Sequence, residues 1–418
     1  MREKTVKHTW EFTRYLRAGV YKWNGSALAS KRIKEALREI SNVAKKDPVI
    51  AAEGAVKFIE KCWLALEHID SSSGAIGNAV NNALFELAEI ISHAELLKNE
   101  RLKLTERIWN SWQDEGYGYY DVLSELWPKL CGDPEILNYW ADHFLPVVKH
   151  VFASTAPGSY FKGSEPCLAC LFDAGRYDEI EALFQTSDKL MSFYGEYLIK
   201  VMAARGNTEK ALSMIDQKLN DPYISRRKTV NLGEEILLKE GRVEEAYKKY
   251  GLMIPFEATG LATLSAIRKK YSTISPQRIL SDLLDADPGN ERRYFAAARK
   301  IGMVELAIEL AEKFDVEPKT ITTACKDYLE KDSELSLKFG MLALQKYTDG
   351  FGYEPEFGDI QKCHDLVCMA AERAGKKDET ARNIEEMVRN DKSVRKLVTS
   401  VVNYRNSQNN IIMFRPRG

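Results

Sequence analysis

The chain has 418 residues, with 44% hydrophobic and 29% charged residues and a formal net charge of −1. That is too long for one compact core. The near-neutral balance excludes a chain that grips nucleic acid by overall charge. No apolar run approaches the roughly 18–20 residues needed to span a bilayer. The start lacks the apolar stretch of a signal peptide. The seven cysteines, an odd and scattered set, do not form a disulfide framework. A cytoplasmic, reducing location follows as the expectation.

Apolar spacing predicts helices from the N-terminal region onward. Ser30 to Ala44 carries Ile33, Ala36, Leu37, Ile40 and Val43 on one side, and Val49 to Ile69 follows. Asp70-Ser-Ser-Ser-Gly74 breaks the chain and offers a cap to a helix over Ala75 to Leu97. Leu102 to Trp112 and Tyr120 to Leu130 are two more. Asp133-Pro134 opens another, with Asp as cap and Pro at the first helical position. No stretch alternates with period two, so an all-α chain is expected. All seven tryptophans lie between Trp10 and Trp140, and none follows. A Gly/Pro/Ser-rich segment over 154–166 comes just past that step and reads as a loop. These features divide the chain into a Trp-rich helical region over 1–155, a repeat region over 165–405 and a flexible tail over 406–418.

The repeat region is marked by a recurring phrase: glycine, two residues, an acid, then a small residue. It occurs at Gly175/Asp178, Gly206/Glu209/Ala211, Gly241/Glu244/Ala246, Gly302/Glu305/Ala307 and Gly375/Asp378/Ala381. The glycines are 31, 35, 61 and 73 residues apart, and the last two intervals read as doubled periods. Leu264–Tyr271 with Gln277–Leu284, and Cys325–Leu329 with Leu335–Leu344, fill them with helix pairs that lack the glycine. A period near 30–36 residues is that of stacked helix pairs. The glycine would end one helix in a left-handed conformation. The acid would enter the first turn of the next helix, at the positive end of its dipole. The small residue would let the two helices approach closely.

This pattern, over about residues 165 to 390, resembles tetratricopeptide-type and related α-α superhelical repeats. The resemblance implies a right-handed solenoid of about seven antiparallel helix pairs that binds protein or peptide and needs no cofactor. In the first region, Ala65–Gly74 and Trp109–Asp121 look similar to a poorly characterised family of bacterial helical-repeat proteins. Some members of that family are associated with zinc-finger modules, whose Cys/His set this chain lacks.

Candidate binding residues fall in three places. The N-terminal 47 residues hold twelve Lys/Arg against five Asp/Glu. Trp10, Arg14, Arg17, Lys22 and Trp23 interleave base and ring there. That mixture could engage nucleic acid, or could be a first helix with its rings buried and its charges in water. Tyr160 and Lys162 mark the regional boundary. Phe351, Tyr353 and Phe357 lie in an aromatic, glycine-rich, acidic insertion over 347–358, which could carry function, as long insertions in solenoids do, or could merely cover the end of a core. Cys167-x-x-Cys170 and Cys363-His364-x-x-x-Cys368 sit in apolar helical context and read as buried small residues. His68 and His143 each neighbour acids, but no nucleophile, zinc or phosphate-loop motif accompanies them. The expectation is therefore a non-catalytic scaffold or adaptor. The alternative is a nucleic-acid-associated subunit that uses the basic N-terminal stretch.

Overall fold

A computed structural model describes residues 8–154, 160–185, 190–220, 226–253, 259–392 and 396–413. It divides the chain into two units, Met1–Ile224 and Ser225–Gly418. The described residues are helical throughout, with no strand among them. No helix among them is long and apolar enough to cross a membrane.

The first unit contains α1 (Ser26–Ala44), α2 (Pro48–Leu66), α3 (Ala75–His93), α4 (Lys98–Asp114), α5 (Leu123–Cys131), α6 (Pro134–Ala153), α7 (Ser164–Asp173), α8 (Tyr177–Phe184), α9 (Leu190–Ala204) and α10 (Thr208–Leu219). Asp47 and Asp133 cap α2 and α6, each followed by proline at the first helical position. Asp70 does not cap α3. Its carboxylate accepts from Ser72 N at 2.9 Å within the turn, and left-handed Gly74 precedes the helix instead.

Trp109, Trp112, Trp127, Trp140 and Phe144 form one buried ring cluster, with Trp109 5.5 Å from Trp112, 5.8 Å from Trp127 and 4.8 Å from Phe144. Trp140 Nε1 donates to Thr105 Oγ1 at 2.9 Å, which answers the one polar demand an indole makes when buried. Phe161 joins the cluster against Trp109 and Phe144. Helix α6 packs on α7. One core thus runs from Trp10 to Val201. The division at 224 therefore falls well past the tryptophan step near 155. The tryptophans mark where the largest rings sit, while the core they belong to continues through α7 and α9.

The second unit contains α11 (Arg226–Lys239), α12 (Val243–Ala246), α13 (Gly260–Lys270), α14 (Pro276–Ala286), α15 (Phe295–Lys300), α16 (Val304–Lys313), α17 (Pro318–Tyr328), α18 (Ser333–Thr348), α19 (Phe357–Arg373), α20 (Lys377–Arg389) and α21 (Leu397–Met413). Helix α12 continues as a π-helical stretch, Tyr247–Gly251. Residues 406–413, expected as tail, belong to α21, and 414–418 lie outside the described residues. Large buried side chains here include Tyr247, Tyr250, Tyr271 and Tyr294 beside Phe295 and Phe339. Three reach carboxylates, Tyr247 to Asp282 at 2.7 Å, Tyr294 to Asp287 at 3.0 Å, and Tyr271 to Glu234.

Those contacts predict an alkaline limit. Burial first, then the neighbouring carboxylates, push the phenols of Tyr247, Tyr271 and Tyr294 up, and burial pushes Tyr21 up to about 12. The unfolded chain releases these protons near the ordinary tyrosine value of about 10. Above that pH it binds fewer protons than the folded chain, so stability falls as pH rises. Tyrosinate absorbance should therefore rise cooperatively with loss of helical circular dichroism. Full ionisation of the buried set in a still-helical chain would contradict this.

The repeated phrase acts as its chemistry implies. Gly175, Gly206, Gly241, Gly302 and Gly375 are left-handed, with φ of 72°, 80°, 73°, 83° and 68°. In each case the next residue's N–H bonds back five positions: Arg176 to Leu171, Asn207 to Met202, Arg242 to Leu237 and Met303 to Ala298 at 2.9 Å, and Lys376 to Ala371 at 2.8 Å. This six-to-one bond satisfies a carbonyl that the helix end would orphan. Asp178, Glu209, Glu244, Glu305 and Asp378 all fall in first turns. The small-residue slot corrects the sequence expectation at its last occurrence. The buried position is five residues after the glycine, occupied by Ile180, Ala211, Ala246, Ala307 and Thr380. Ala381, one residue further, is exposed.

A Cβ at Gly302 would meet nothing within 4 Å, so Gly302→Ala pays only the backbone cost of a left-handed alanine. We expect a loss of about 1 kcal/mol, read as a denaturation midpoint shift with an unchanged slope. No measurable shift would show that the turn relaxes freely.

Candidate interaction surface

The N-terminal stretch is built onto α1 and α2. Glu39 on α1 accepts from Glu11 N at 2.7 Å and Phe12 N at 3.0 Å, capping the short 3-10 helix Glu11–Arg14. Trp10 is 3% exposed, and its ring lies so close over Gly54 that a Cβ there would be 2.2 Å from it. Trp10 is therefore a core residue and not a surface anchor. Phe12, Leu16 and Tyr21 are buried with it. Arg14 pairs with Glu11 at 2.8 Å, while Arg32 pairs with Glu35 and lies over the Tyr15 ring. Arg14 stays 74% exposed in its pair, and Arg17, Lys22 and Trp23, the last 65% exposed, remain open together with Val20 and Leu28. Trp23 is held there by its backbone, its carbonyl accepting from Asp70 N at 3.0 Å.

Lys162 is also removed from the surface set. Its ammonium donates to the carbonyls of Trp112 at 2.6 Å and Glu115 at 2.9 Å, closing the end of α4. Glu115 is itself buried, and its carboxylate receives Tyr117 N at 2.6 Å and Tyr119 N at 3.3 Å. These bonds explain the shape of the Gly116–Tyr120 segment without a phosphate. Tyr160 next door is 69% exposed, and its partial burial, then Asp121 and Glu165, raise its pKa.

The insertion in the second unit is an ordered loop between α18 and α19. Gly350, Gly352 and Glu354 are left-handed, with φ of 87°, 117° and 41°. A glutamate in that region is uncommon and persists only where surroundings impose it. Two contacts impose it. Glu317 Oε2 accepts from Tyr353 N at 3.2 Å. Lys346, itself buried, donates to Phe314 O at 2.8 Å and stands 4.9 Å from the Phe351 ring centre. Phe351 is thus half-buried as the loop's foot. Tyr353 projects at 79% exposed, and Phe357 packs edge-on against Tyr404 of α21 at 5.8 Å. Tyr404, Glu317 and Lys346 had no signal in the sequence because their roles depend on partners 36 to 47 residues away or on a buried cation.

The remaining candidates are dispersed. Cys167 Sγ points to Ala141 O and Cys363 Sγ to Gly340 O, each at 3.7 Å. Cys170 lies beside Cys131. His364 is pushed down by burial and lies 3.8 Å from Cys368 Sγ. His143 stacks on Tyr139 with centroids 6.0 Å apart, and His68 is exposed. Among the described residues no three His, Cys, Asp or Glu side chains converge on a point that could hold a metal.

Open grooves among the described residues of the second unit include two. One, of about 490 Å³, runs between α18 and α20 over Leu335, Leu337 and Met341, rimmed by Glu334 and Lys376. The other, of about 510 Å³, lies between α11 and α13 over Asn231, Glu234, Leu238 and Lys270. The chain matches no protein-family model and none of the curated proteins with which it was compared.

Proposed function

We propose that this protein is a non-catalytic, cytoplasmic scaffold or adaptor that holds a protein or peptide partner on a helical-repeat surface. In this reading the helix pairs stack as antiparallel pairs in a tetratricopeptide-like superhelix. The observation that carries it is the five-fold recurrence of one glycine turn with the same backbone bond, acid and buried slot. That is a repeated joint, and repeated joints build extended surfaces. The grooves over α11/α13 and α18/α20, and the braced loop that presents Tyr353, supply binding surface.

The test is affinity capture of the tagged protein from its native cell, with and without nuclease, comparing wild type with Tyr353→Ala. A defined partner that survives nuclease supports the scaffold. A second reading, nucleic-acid association, is favoured by the exposed Arg17, Lys22 and Trp23. It requires that partners vanish with nuclease and that RNA binding weaken steeply with salt. Recovery of the bare protein in every arm counts against both.

A further inference from the structure

Two exposed surfaces of this chain carry opposite charge around an apolar centre. From Phe12 to Lys34 there are six bases, Arg14, Arg17, Lys22, Lys31, Arg32 and Lys34, and no acid. From Tyr347 to Gln361 there are four acids, Asp349, Glu354, Glu356 and Asp359, and no base. Internal pairing consumes only part of each set. Arg14 is held by Glu11, and Lys31 and Arg32 by Glu35. Asp359 is held by Lys319 at 3.0 Å, and Asp349 accepts from Gln345 at 3.1 Å. Among the described residues, Arg17 and Lys22 on one side and Glu354 and Glu356 on the other enter no ion pair.

Each stretch also carries exposed apolar side chains, and Tyr404 of α21 lies against Phe357 of the acidic one. Val20, Trp23 and Leu28 are 38%, 65% and 51% exposed, and Tyr353 and Tyr404 are 79% and 45% exposed. Clustered exposed apolar groups with a charged rim mark an interface. The loop is also pre-shaped: Glu317, Lys346 and the left-handed run fix it before any partner arrives, which lowers the entropy cost of docking. The net charge of −1 provides no general repulsion between copies.

We propose that the acidic, aromatic loop tip around Tyr353 and Glu354 of one copy docks on the basic patch around Trp23 of a second copy. The two surfaces differ, so each contact pairs the loop of one copy with the patch of another. Opposite charges steer the encounter, and the buried rings hold it. The proposal rests on the reading of the loop as an interaction surface.

The experiment is sedimentation velocity on the purified full chain over a micromolar to submillimolar range, at low and at about 1 M salt, where charge is screened within a few ångströms. Association that grows with concentration and weakens with salt is expected. Glu354→Lys and Lys22→Glu should each raise the dissociation constant about tenfold, as like charges then face each other. The Glu354→Lys/Lys22→Glu double variant should recover most of it, a result that misfolding cannot mimic. A chain that stays monomeric at every concentration in low salt overturns the proposal, as does association indifferent to both reversals. A monomer that binds a labelled single-stranded RNA through Lys22 assigns the patch to nucleic acid and overturns it too. Because only purified protein is used, these failures are separate from failure to capture a cellular partner.

Discussion

Trp127→Ala should cost the first unit about 4 kcal/mol and leave the second largely unaffected. Trp127 is fully buried and touches Trp109, Trp112, Trp140 and Phe144 through ring contacts of 5.1 to 6.3 Å. Removing so large a side chain loses its transfer free energy and opens a cavity that neighbouring rings, locked edge to face, cannot collapse into. The composition of the chain makes the test clean. All seven tryptophans belong to the first unit, so tryptophan fluorescence reports that unit alone. In urea, the fluorescence midpoint should fall sharply while a separate helical transition, followed by circular dichroism, remains near its original position. Coincident movement of both signals would show that the two units unfold as one cooperative body.

Glu234→Ala is the corresponding experiment in the second unit, with an expected loss of about 2–3 kcal/mol. Glu234 is 1% exposed on α11, and its carboxylate receives both the Tyr271 hydroxyl and the Lys270 ammonium from the following pair. Alanine leaves the Tyr271 hydroxyl buried without its acceptor and opens space between α11 and α13, whereas burying such a group unpaired is costly. Lys270 is 41% exposed, so water compensates much of its loss and the tyrosine dominates the effect. Glu234→Gln keeps an acceptor for Tyr271 and should recover about half of the loss. Equal losses in the two variants would place the energy in the ion pair instead. Tryptophan fluorescence should not follow either change. The expected readout is the tyrosine and far-ultraviolet signals.

What was legible in the sequence was local. A glycine that ends a helix, an acid that follows it and an aspartate-proline start all act within a turn of their own position, so residue type alone foretold them at Gly175, Gly206, Gly241, Gly302, Gly375 and Asp133. The same holds for the helices themselves, because apolar spacing is a property of one segment. At Ala381 the phrase points one position too far, since alanine is equally at home inside and outside. Only the packing of α20 shows that Thr380 is the buried one.

The surface set depended on tertiary structure. Trp10 and Trp23 are thirteen positions apart and chemically alike, yet Trp10 fills the space left by Gly54 and Trp23 stands in solvent. Lys162 and Lys22 are both lysines beside aromatics, yet one ammonium is taken by the carbonyl end of α4 and the other is free of ion pairs. Burial is a property of what comes to lie opposite a side chain, and that partner is often dozens of residues away. The amino-acid sequence by itself determined that this chain is helical, where its joints lie and what chemistry closes them. The tertiary structure decided which of its rings and charges are used up inside and which, at Trp23 and Tyr353, are left exposed.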